Sequence, residues 1–205
     1  MYERDVPKIK KYVKRKGEEG LLDVGTFVLC SIQTPISRVG PMVKEVKREG
    51  SSAACLWGSK RDGYVTLRKR LKPLYEALVD SQVGLYPATR MLLDAPGLGL
   101  PKVSFLLQCI GYDTACLDVH NLRMYDIPYS VTKVAADLKE ETKEKRVKEY
   151  IRTVSRKTTG EWWNDWSNFV ANNRWNRNLE TGDMVSDYHY HAISGQETKY
   201  QSSIK

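Results

Sequence analysis

Strict alternation of apolar and polar residues is scarce along this chain, whereas apolar residues recur at three- and four-residue spacing between Gly and Pro punctuation. That period lines up side chains on one face of a helix and scatters them over both faces of a strand. The expected fold class is therefore all-α, built from many short helices. The first runs from Val6 to about Lys16, opened by Pro7 and broken by Gly17 and Gly20. LLDVGTFVLCSIQTP is apolar enough for a buried helix, with Pro35 near its end. Ser37 is placed to cap RVGPMVKEVKRE. LRKRLKPLYEALVD carries Leu67, Leu71, Leu74, Tyr75 and Leu78 at helical spacing, with Pro73 as a kink. PATRMLLDA and KVSFLLQCI form a helix pair around PGLGLP, and Asp113 and Asp118 are caps further on. KVAADLKEETKEKRVKEYIRTV and the aromatic-rich GEWWNDWSNFVANNR read as the last two helices.

At 205 residues the chain suits one domain or two small lobes sharing a core. Hydrophobic residues at 41% and charged residues at 28% exclude wholesale disorder. No run approaches the roughly 18 uncharged apolar residues of a membrane-spanning helix. MYERDVPKIKKYVKRKGEEG is charged throughout and lacks the apolar stretch of a secretory signal. Thirty-three Lys and Arg against 25 Asp and Glu give +8, which favours a polyanionic partner. Cys30, Cys55, Cys109 and Cys116 contain no C-x2-C pair, so they read as reduced, buried thiols of a cytosolic protein. His189 and His191 stand two apart with no third ligand evident, and no metal site is expected.

The segment with most chemical content is MLLDAPGLGLPKVSFLLQCIGYDTACLDVHNLR, residues 91–123. Gly97 and Gly99 flank Leu98 between two apolar helices, a helix-hairpin-helix pattern. A hairpin this tight needs positive φ and lets backbone approach a ligand closely. The N–H groups opening the second helix, with the helix dipole behind them, suit an anion such as a DNA phosphate. An ordinary helix–helix turn accounts for the hairpin alone equally well.

Pro96, Gly97, Leu98, Gly99, Leu117, Asp118, His120 and Arg123 together resemble the helix-hairpin-helix DNA glycosylase superfamily, which includes endonuclease III and the 8-oxoguanine glycosylases. FLLQCIGYDTACLDVHNLR is most similar to the archaeal-type 8-oxoguanine branch. VLCSIQTP resembles the family's helix ending in S-x-QT, which puts Gln33 and Thr34 where the family probes the duplex. The resemblance implies a two-lobed fold with a cleft: residues 24–112 as a middle lobe, and residues 1–23 with 113–205 as the other. It implies base flipping and cleavage of the N-glycosidic bond of a damaged, mispaired or modified base. Asp118 is the implied catalytic carboxylate, stabilising an oxocarbenium-like sugar or assisting water. Read alone, Asp118 is rather an N-cap of VHNLRMY, and the two roles are compatible because the N–H groups of a helix start hold a carboxylate as an anion.

Bifunctional members of that family place a nucleophilic lysine two residues after the second hairpin glycine. Here Leu100 and Pro101 follow Gly99 and Lys102 comes third, a displacement of about 100° around a helix. Lys102 is thus expected on a phosphate, and the enzyme is expected to be monofunctional. No cysteine follows Cys116, so the family's iron–sulfur loop is missing and no cofactor is expected, although a monovalent cation at the hairpin fits the resemblance. The implied partner is double-stranded DNA, bound by a monomer through Gln33, Thr34, Gly97, Leu98, Gly99 and Lys102, in the cytoplasm of a bacterial, archaeal or virus-infected cell. Three rivals stand: a phage-type enzyme of the same superfamily acting on the 5-substituent of a modified thymine, a non-catalytic hairpin module, and a helical interaction protein. Trp162, Trp166 and Phe169 share a stripe expected in the core, Trp163 lies off it and is expected exposed, and Trp57 stands alone.

Overall fold

The structure is a computed structural model that describes residues 2–135, 138–172 and 188–195; among them every regular element is helical. Helix α1 spans Tyr2–Lys16 and contains Pro7, which the sequence reading placed at its opening. A proline inside a helix removes one backbone bond. The buried stripe Val6, Ile9, Tyr12 and Val13 packs regardless, and that packing carries the helix through Pro7.

Helix α2, Glu18–Cys30, is buried on nearly every face and lies against α1 and its successors. It stops at Cys30, earlier than Pro35 suggested, because the chain turns through residues 31–34 with Gln33 at φ 50°. Helix α3, Ile36–Glu49, starts directly after Pro35; Ser37 lies inside its first turn and is not the cap. Helix α4 is Ser59–Lys69 and α5 is Leu71–Tyr75, followed by a π-helical turn over Glu76–Asp80. The expected kink at Pro73 is thus a break at Arg70. A continuous helix would press the Pro73 ring on the carbonyl of Lys69, whereas the first turn of a new helix tolerates proline.

Helices α6, Leu85–Leu93, and α7, Leu100–Cys109, make the expected hairpin pair, with Pro101 in the first turn of α7. Helix α8, Val119–Met124, follows Asp118. Helix α9 covers Glu140–Val154 and begins seven residues later than Lys133, the expected start. Glu140 fixes that start: it pairs with Arg90 of α6 and with Lys143, and Glu140 and Glu141 suit the positive end of the helix. Helix α10, Thr159–Asn172, opens on a capping box in which Thr158 Oγ1 accepts from Glu161 N while Thr158 N donates to Glu161 Oε2. Asp113, expected to cap a nearby helix, instead accepts from Thr159 N and Thr159 Oγ1 at 2.8 and 2.7 Å. Helix α11 is Tyr188–Ser194.

Two apolar clusters hold these elements. The larger joins α1 through α7 and takes in Ala192 and Ile193 of α11. The smaller contains Leu100, Ala115, Leu117, Leu122, Val147, Tyr150, Val154 and Trp162. Helix α7 belongs to both: Leu100 packs in the smaller cluster and Val103, Leu106 and Leu107 in the larger. Trp163 is 6% exposed, against the expectation of an exposed ring, because α10 also faces α7 and α11; its indole lies 6.2 Å from Phe105 and 5.2 Å from His189. The remaining tryptophan of that segment, Trp175, lies outside the described residues.

Candidate functional site

Gly97 takes φ 81°, and Gly97 and Gly99 are exposed while Leu98 and Leu100 point inward. Leu98 is 3% exposed in the larger core. Its side chain anchors the hairpin from inside. The hairpin leans on α4. A Cβ at Gly63 would fall 2.2 Å from the Pro96 carbonyl oxygen, so only glycine allows this approach. A Cβ at Gly97 would stand 3.2 Å from the carbonyl oxygen of Ser59. Lys102 N and Val103 N both donate to Gly99 O at 2.9 Å, which opens α7 tightly at the hairpin.

The turn between α2 and α3 comes to the same region. Gln33 is exposed in the left-handed conformation, unusual for a residue with a Cβ. Ser31 Oγ accepts from Lys102 Nζ at 3.0 Å, and the ammonium lies 5.6 Å from the centroid of Phe105. Thr34 Oγ1 accepts from Lys60 Nζ at 3.2 Å. Lys60 is 5% exposed and makes no ion pair among the described residues, and the centroid of the Trp57 ring lies 5.7 Å from its Nζ. Lys60 was not apparent in the sequence, where it is one more member of a basic surface composition.

Asp118 is the N-cap of α8. Its Oδ1 accepts from His120 N and Asn121 N, each at 3.0 Å, and its Oδ2 accepts from Trp166 Nε1 at 2.8 Å. The residue remains half-exposed. Three N–H donors and the start of a helix converge on one carboxylate, an arrangement that stabilises negative charge. The chain leading to it is equally fixed. Tyr150 OH donates to Ala115 O at 2.8 Å and accepts from Leu117 N at 3.1 Å, and Asn121 Nδ2 donates to Cys116 O at 2.8 Å. Tyr150 and Asn121 escape sequence reading because their partners are backbone atoms 33 to 35 residues away in the first case and hidden in a loop in the second.

The far end of α8 is strapped to α10 as well. Lys157 Nζ donates to Tyr125 OH at 2.5 Å and to Asp165 Oδ2 at 2.8 Å, and Tyr125 OH donates to the same carboxylate oxygen. Bonds from Lys157 and then Tyr125 hold the Asp165 carboxyl below its ordinary value.

Cys116 lies two residues before Asp118, and its backbone oxygen accepts from Asp118 N at 2.9 Å. Burial pushes its thiol up to about 12, the Asp118 charge adds to that shift, and the Lys102 charge opposes it. No direct bond joins Lys102 and Asp118 among the described residues. All four cysteines are free; Cys30 and Cys109 are buried, Cys55 and Cys116 half-buried. Among the described residues no group of three or more His, Cys, Asp and Glu side chains is placed to hold a metal ion, and no helix is long and apolar enough to cross a membrane. His189 instead faces Asp5, Nδ1 to Oδ2 at 3.0 Å, both buried. No family model, curated protein or solved structure matches the chain.

Proposed function

We propose that this chain is a helix-hairpin-helix DNA glycosylase that flips a damaged, mispaired or modified base from double-stranded DNA and hydrolyses its N-glycosidic bond. The observation that carries the reading is the Asp118 carboxylate, held by His120 N, Asn121 N and Trp166 Nε1 yet half-exposed. Cleaving the bond builds positive charge on the deoxyribose. A fixed carboxylate beside C1′ stabilises that charge more than the neutral ground state. The same carboxylate orients a water toward C1′. Gly97 and Gly99 offer exposed backbone for a phosphate, and Gln33 is held outward to probe the stack. Lys102 spends its ammonium on Ser31 and the Phe105 ring, which favours water over an amine as nucleophile.

In this reading the DNA lies where α7 passes from the larger apolar cluster to the smaller. The test is a panel of duplex oligonucleotides, each carrying one lesion or modified base. Release of one free base, with an alkali-labile abasic site left behind, supports the reading. Intact DNA with an altered base moves the chemistry to the base substituent, and no change in any duplex removes the catalytic assignment.

A further inference from the structure

We infer that Trp57 is a base-stacking residue of the DNA-binding face, set between the Gln33 turn and the hairpin; the inference rests on the proposed DNA reading and extends it to a residue that the sequence left unassigned. Trp57 is 63% exposed, a large apolar ring turned to solvent. Single exposed apolar residues are ordinary. What sets this one apart is how it is held. Leu56 before it is fully buried, and Gly58 after it takes φ 54°. Cys55 N donates to Glu45 Oε1 at 3.2 Å, Leu56 N to Ala53 O at 3.0 Å, and Lys60 N to Trp57 O at 3.2 Å. The ring is thus presented outward from a pinned loop.

Its surroundings select the occupant. The Lys60 ammonium, buried and without an ion pair among the described residues, lies 5.7 Å from the indole centroid and bonds Thr34, next to Gln33. Ser59, two residues past Trp57, backs Gly97 of the hairpin. One exposed ring therefore sits beside the turn expected to probe a duplex and the hairpin expected to hold its phosphate. An aromatic face next to a cationic side chain suits a nucleobase, which brings a π-face and an adjoining phosphate together. The formal charge of +8 favours such a ligand.

The experiment uses the full chain with Trp57→Ala and Trp57→Phe, and fluorescence anisotropy on a labelled 20-base-pair duplex containing 2-aminopurine. Alanine is expected to weaken binding by about fivefold to 150-fold, the measured worth of one stacked base, while phenylalanine retains most of the affinity. The log–log salt slope stays unchanged, because no phosphate contact is removed. The 2-aminopurine emission is quenched by the stacked indole in the wild-type complex and is less quenched with the alanine variant. Wild-type affinity in Trp57→Ala overturns the inference and leaves the glycosylase reading standing. A wild-type protein that binds no duplex at low salt overturns both. A wild-type dimer that Trp57→Ala converts to monomer in sedimentation assigns the ring to a second copy of the chain and also overturns the inference.

Discussion

The indole N–H of Trp166 donates to Asp118 Oδ2 over 2.8 Å, tying the middle of α10 to the first residue before α8. Helix α8 has six residues, too few to hold itself in water. Its orientation depends on this bond at one end and on the Tyr125–Asp165–Lys157 cluster at the other. Trp166→Phe keeps an aromatic ring beside His120, removes the donor and shortens the side chain by one ring. Base release is expected to fall about tenfold or more, while DNA affinity stays within twofold, in the range typical of losing one placed donor. Single-turnover release and anisotropy on the same duplex separate the two quantities. A parallel loss of both assigns Trp166 to folding alone.

Asp118→Asn keeps an oxygen to accept from His120 N and Asn121 N, so the cap of α8 survives. What disappears is the negative charge, together with the acceptor for Trp166 Nε1, which the amide nitrogen then faces; Trp166→Phe, which loses that bond and keeps the charge, separates the two effects. Release is expected to drop about a hundredfold or more, with duplex binding intact. Near wild-type turnover in a variant with unchanged circular dichroism would exclude Asp118 as the catalytic group.

Tyr150→Phe strips a fully buried hydroxyl from two backbone partners, Ala115 O and Leu117 N. Leaving a buried group unsatisfied costs about 1–3 kcal/mol. Urea unfolding should show that loss as a lower midpoint at unchanged slope, together with reduced base release, because this hydroxyl fixes the loop that carries Asp118. An unchanged midpoint would mean that water replaces the hydroxyl and that the loop is held by Asn121 alone.

Alkaline pH provides a separate check on the core. Burial pushes the Cys30 thiol from its ordinary 9.0 to about 12. The unfolded chain therefore begins to release this proton near pH 9 and the folded chain only near pH 12. Stability from this group is complete below pH 9 and declines as pH rises toward 12. Urea midpoints between pH 8 and 11 should fall, and Cys30→Ala should flatten part of the decline even while lowering the midpoint throughout. A Cys30→Ala curve parallel to wild type would show that the thiol does not titrate differently in the two states.

Helical class, the hairpin and the cap at Asp118 were legible because each is written in neighbouring residues: apolar period, Gly spacing, and a carboxylate before VHNLRM. Helix ends were less so. Pro7 sits inside α1 because tertiary packing of Ile9 and Val13 outweighs one lost backbone bond, and Lys133 lies outside α9 because Glu140, paired with Arg90, sets the start. Asp113 caps no neighbouring helix but bonds Thr159, 46 residues distant, which no local pattern encodes. The exposed side of α10 was misjudged at Trp163 because a helix packed on two neighbours has no single buried stripe. Lys60, Tyr150 and Asn121 were invisible for a common reason: their bonds go to atoms that no local pattern encodes.

In the proposed glycosylase reading, the nature of the nucleophile decides what is left on the DNA. Lyase chemistry needs a neutral amine that attacks C1′, expels the base and leaves an imine linked to the sugar. Lys102 is the one lysine at the start of α7, and its Nζ is directed at Ser31 Oγ and the Phe105 ring, toward the α2–α3 turn. The position before it is Pro101, whose nitrogen lies within the peptide bond. Base release is therefore expected to leave an intact strand that breaks only on alkali or heat. Borohydride present during turnover traps an imine as a covalent protein–DNA band, and none is expected. A band that forms with wild type and vanishes in Lys102→Ala would make Lys102 the nucleophile, with its bond to Ser31 broken when DNA binds. In that event Ser31→Ala, which frees the ammonium, should increase the band rather than diminish it.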